Sequence, residues 1–81
     1  MRMILLVLHS PEDPQGAELI VVSEAMDSEV GYEITSECGF TYKIFEKRVP
    51  DPRNERDADM IEQVPKTMVI VSILEARRVL C

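Results

Sequence analysis

Apolar residues gather into two runs, residues 3–8 (MILLVL) and residues 68–74 (MVIVSIL), the second with Ser72 as its one polar member. Runs this short, without polar alternation, suit strands buried on both faces better than helices. Both are therefore predicted to lie at the centre of a sheet. The first stops at His9, Ser10 and Pro11, and residues 10–16 (SPEDPQG) hold two prolines and a glycine, which predicts a loop there.

Residues 17–26 (AELIVVSEAM) give mixed signals. Ile20, Val21 and Val22 favour a strand, whereas Glu18, Leu19, Glu24, Ala25 and Met26 favour a helix. The helix is the reading adopted, because it lets the chain cross over from a buried strand, with Gly31 placed to end it. The alternative is a strand forming a hairpin after a long loop.

Alternation is clearest in residues 32–37 and 40–45, which flank Cys38 and Gly39 and predict a β-hairpin. One face carries Tyr32, Ile34 and Ser36. The charged continuation Glu46, Lys47 and Arg48 suits an exposed edge strand. Pro50 and Pro52 then break the sheet. Residues 53–63 offer only Ala58, Met60 and Ile61 as apolar anchors, enough to seat a short helix, and Pro65 closes the segment. Residues 75–81 (EARRVLC) read as either a further strand or a fraying helix.

The fold class that follows is α+β: one domain over residues 1–81, a mixed β-sheet containing a hairpin, with one or two short helices packed on it. Composition supports an ordered fold, since 46% of the residues are hydrophobic and 30% charged, outside the range of disordered chains. At 81 residues the core is small, with roughly 60% of the unfolded chain's surface buried.

Charge narrows the function classes. The net charge is −6, and it is uneven: residues 1–31 sum to −5, residues 51–62 to −3, and residues 63–81 to +2. Such a chain repels phosphate backbones, so nucleic acid is not an expected partner, and a divalent cation or a basic protein surface is. The first apolar run is too short for a membrane span or a signal sequence. Two cysteines, Cys38 and Cys81, do not make a disulfide framework, and the expected compartment is the reducing cytoplasm.

The sharpest chemical candidate is residues 51–62 (DPRNERDADMIE). Asp51, Glu55, Asp57, Asp59 and Glu62 occupy positions one, five, seven, nine and twelve of a twelve-residue stretch. Calcium takes six to eight oxygens, and a loop of this length closed by a carboxylate can wrap one ion. Arg53 stands at position three and Arg56 at position six, where such loops need glycine, so the expected affinity is weak, on the order of 10⁻⁴ to 10⁻³ M. Glu12 and Asp13 form a second candidate oxygen site. The competing reading is a solvated helical face with acids near the helix start. His9, with Ser10 beside it, ends a buried strand, but no nucleophile elbow or paired buried acids accompany it, so no catalytic site is assigned. Glycine-rich nucleotide loops and zinc-spaced Cys and His clusters are missing from the sequence, so neither a nucleotide nor zinc is expected.

Overall fold

The computed structural model describes residues 2–24 and 29–79, with side chains for all of these except 13–15. Five strands and one helix follow in the order β1 (Arg2–Ser10), β2 (Asp13–Ser23), β3 (Glu33–Thr35), β4 (Thr41–Arg48), α1 (Glu55–Glu62) and β5 (Val69–Arg78). They build one mixed sheet in the order β2-β1-β5-β4-β3. β1 and β5 run parallel at its centre, and every other neighbouring pair is antiparallel. No helix among the described residues is long and apolar enough to cross a membrane.

The two apolar runs become β1 and β5, the central pair that their lack of polar alternation predicts. Successive side chains on a strand point to opposite faces, so each run feeds two cores. Leu5, Val7 and Ile73 meet Met60 and Val64 on the face covered by α1. Ile4, Leu6, Leu8, Leu74 and Ala76 meet Tyr42 and Ile44 on the other face. No helix covers that second face among the described residues. The sheet curls instead, bringing Ile20 and Val22 of β2 and Ile34 of β3 against the same cluster.

Residues 17–23 are strand, not helix. Ile20, Val21 and Val22 pair antiparallel with Leu6, Leu5 and Ile4, and neighbouring residues feed opposite cores, Leu19 and Val21 one, Ile20 and Val22 the other. An apolar run on a strand flanked by two cores defeats both simple periodicities, and sheet pairing overrides helix propensity. Ala25 and Met26 lie outside the described residues. The preceding loop is also shorter than its prolines suggest. Only residues 11 and 12 form the turn, and a register shift between His9 and Ser10 lets β2 start at Asp13.

The predicted hairpin is β3 and β4. Gly39 donates to the Ser36 carbonyl at 2.9 Å and Ser36 donates to that of Phe40 at 2.8 Å. Gly39 holds φ at +90°, a backbone conformation that favours glycine in a tight hairpin. β3 is only three residues long, and Tyr32 is exposed. β4 is interior rather than an edge, although its end at Glu46–Arg48 pairs with β5 alone. Residues 75–78 simply extend β5.

The short helix also forms. Asn54 caps it, accepting from the amides of Arg56 at 2.9 Å and Asp57 at 3.2 Å, and Glu55 and Asp57 stand in the first turn, where acids suit the helix dipole. Its apolar stripe is narrow, Met60 and then Val64, and a second set of contacts made by charged side chains joins it to the sheet.

Candidate functional site

The carboxylates of residues 51–62 do not lie around one point. From Glu55 onward the segment is helical, so side chains two residues apart leave the axis in different directions. Glu55, Asp59 and Glu62 are exposed on α1. Asp51 turns back on its own backbone, its Oδ1 accepting from the Arg53 amide at 2.9 Å. Asp57 is buried, with both oxygens engaged by protein donors. Among the described residues, no group of three or more His, Cys, Asp or Glu side chains is placed to hold a metal ion. Glu12 instead receives Arg78 Nη2 at 2.6 Å, and that guanidinium holds its carboxyl below the usual carboxylate range. The side chain of Asp13 lies outside the described residues.

Asp57 belongs to an ion cluster between sheet and helix. Arg48 donates from Nη2 to Asp57 Oδ1 at 2.7 Å and from Nε to Oδ2 at 3.4 Å, while the Asp51 amide donates to Oδ2 at 3.2 Å. The same guanidinium reaches Glu75 and Glu46. Glu75, also buried, accepts from Arg56 Nη2 at 2.6 Å and pairs with His9 Nε2 at 2.9 Å. Hydrogen bonding to Arg48 lowers the Asp57 pKa against the opposing effect of burial. For Glu75 burial pushes the pKa up most strongly of any single cause, yet the hydrogen bonds from Arg56, His9 and Arg48 together hold it well below the usual range. Arg48 and Arg56 are raised in turn, the first chiefly by Asp57 and the second chiefly by Glu75.

This cluster fixes α1 to β1, β4 and β5. His9 is engaged within it and tilts against Phe45, ring centroids 5.8 Å apart. His9, Arg56 and Gln63 line a small polar cleft of about 460 Å³. A signal for the cluster was present in the sequence: Glu75 directly follows the second apolar run, in phase with side chains that face α1. Reading Glu46, Lys47 and Arg48 as uniformly solvated concealed its partner.

On the opposite face, the curl of the sheet leaves a groove of about 560 Å³ between the two terminal strands. Leu6, Leu8, Ile20, Val22, Ile34 and Tyr42 form its apolar walls. Glu18 and Glu37 stand at its margin, both exposed and neither in an ion pair among the described residues. Arg78 also lines the groove, but it is paired with Glu12 and stacked over Phe40, 4.6 Å from the ring centroid. Ser36 Oγ, another lining group, is a buried side-chain oxygen without a hydrogen-bond partner, a condition costing about 1–3 kcal/mol. Sequence reasoning missed this groove, because it arises from the curvature of the whole sheet.

Compared with protein-family models, curated proteins and solved structures, the chain matches none of them.

Proposed function

We propose that this domain is a non-enzymatic binding module of the cytoplasm, whose acidic surface docks a basic segment of a partner protein. The observation that carries this reading is an imbalance in how charges are used. Arg2, Lys47, Arg48, Arg56 and Arg78 are all held in ion pairs within the domain. Glu18, Glu33 and Glu37 on the β2 and β3 side, and Glu55, Asp59 and Glu62 on α1, are exposed and form no ion pair among the described residues. The domain thus engages five of its nine lysines and arginines internally and, with a net charge of −6, presents surplus anions outward, which steers basic partners toward it and repels wrong ones.

A weak divalent-cation site is the second reading, and it draws on the same exposed acids. It has less support, because wrapping one ion needs several oxygens converging, and the Asp57 carboxylate is bound to Arg48. The test of the main reading is calorimetric titration with a lysine-rich peptide. Binding at low ionic strength that weakens as salt rises is expected; a peptide that gives no heat and no displacement at low salt removes the proposal.

A further inference from the structure

We infer that the groove between β2 and β3 is a binding site for a small amphipathic amine, a molecule with an aliphatic body of several carbons and a primary ammonium at one end. This goes beyond the basic-partner reading above and does not depend on it.

The composition of the groove changes along its length. In the register of β1 with β2, Val22 stands across from Ile4, Ile20 across from Leu6 and Glu18 across from Leu8. Glu18, Ile20 and Val22 alternate along one strand, so all three side chains leave β2 on the groove face. On the other wall Ile34 is followed two residues later by Ser36, with Glu37 next to it in the hairpin turn. The trough is therefore apolar over most of its length and polar at one end, where β1 finishes at Ser10. Its volume of about 560 Å³ lies within the ~300–1,000 Å³ typical of small-molecule sites, which share this pattern of apolar walls and a few orienting polar groups.

Charge selects the head group. Glu18 and Glu37 line the polar end without ion-pair partners among the described residues. Arg78, the cation in the wall, is held by Glu12 at 2.6 Å and lies over the Phe40 ring. An anionic head would meet two unpaired carboxylates and an arginine already neutralised, whereas a cationic head meets acceptors. Ser36 Oγ, buried without a hydrogen-bond partner, is a further acceptor at that end. A primary ammonium has three donors and no acceptor, which suits this set. Its aliphatic body then lies over Ile20, Val22, Leu6 and Ile34, where leaving water is favourable.

The experiment is an amide and methyl NMR titration of the full chain with hexylammonium chloride. Heptanoate, which carries the same hexyl body on a carboxylate, and methylammonium, which has the head without the body, are titrated beside it. Hexylammonium is expected to shift the methyl signals of Leu6, Ile20, Val22 and Ile34 in one saturable step, and the other two to leave them in place. Lengthening the body from butyl to hexyl should tighten binding, about fourfold for each methylene that enters the groove. Glu18→Gln and Glu37→Gln, both at exposed positions, should each weaken it about threefold, as the loss of one exposed ion pair implies. Ser36→Ala should weaken binding while stabilising the free domain, a pairing that a merely structural role for Ser36 does not produce. Equal binding of heptanoate, unchanged binding in both glutamine variants, or shifts confined to the exposed acids of α1 would each overturn the proposal. The same methyl shifts on raising protein concentration without amine would give the groove to a second copy instead. A lysine-rich peptide that binds where hexylammonium does not would overturn this inference and leave the basic-partner reading standing.

Discussion

Arg48, at the last position of β4, forks onto Asp57 in the first turn of α1, with Nη2 to Oδ1 at 2.7 Å and Nε to Oδ2 at 3.4 Å. The aspartate side chain is 1% exposed and the arginine 23%, so water screens the pair little. The helix that they secure has a narrow apolar stripe, and the ion pair supplies orientation that the stripe alone does not.

Breaking this pair from one side should be costly. Asp57→Ala leaves the Arg48 guanidinium partly unpaired in a largely desolvated position, and a loss of about 3–5 kcal/mol is expected, read by urea unfolding. Joint replacement, Arg48→Met with Asp57→Leu, should recover part of that loss, because it strands no charge at position 57 or 48 and the Glu75 carboxylate, which loses Arg48, keeps Arg56 and His9. A cost below about 1 kcal/mol for Asp57→Ala would show that the pair behaves as a solvated surface contact.

Acid should destabilise the domain through the same cluster. Asp57 and Glu75 both titrate lower in the folded state than in the unfolded chain, where such groups titrate near ~4. At acid pH the unfolded chain therefore binds more protons, and stability rises with pH. Their contribution is complete above about pH 5 and is lost as pH falls through the ordinary carboxylate range toward the lower folded values. Melting temperatures measured from pH 7 to pH 2 should trace this decline, with a shallower slope in Asp57→Asn.

Removing the orphaned hydroxyl should help the fold. Ser36→Ala deletes a buried oxygen that has no partner and keeps the small side chain, so a gain of about 1 kcal/mol is expected from denaturant midpoints. A loss of stability instead would mean that Ser36 Oγ makes a bond in solution.

Calcium provides a discriminating control. With Asp57 tied to Arg48, Asp51 turned onto the Arg53 amide, and no group of three acids placed to hold an ion among the described residues, excess calcium should leave the melting curve where it is. A specific site occupied at ten times its dissociation constant would instead add about 1.4 kcal/mol.

The central strands were legible because residues 3–8 lack polar interruption and residues 68–74 have only Ser72 among apolar neighbours, and the β3–β4 hairpin because alternation flanks Gly39. α1 could be placed from its proline boundaries and sparse apolar positions. Residues 17–23 were misread because β2 serves two cores at once, which erases the alternation that marks a strand with one wet face. The acidic stretch showed which residue types were close in sequence but not where they point. Whether Asp57 faces a cation or an arginine depends on Arg48, which the path through Pro50 and Pro52 brings back to it. The groove depends on how far the sheet bends, a property of all five strands together.

The parallel pairing of β1 with β5 joins residues 2–9 to residues 69–77, the longest separation the topology permits. During synthesis the strand that completes the middle of the sheet thus emerges after the other four. Until it arrives, β1 has one neighbour instead of two and β4 has lost its main one. Native structure therefore assembles only once β5 is present, at the slow rates of folds built from distant contacts, and a premature stop before Val69 removes the keystone rather than trimming an edge.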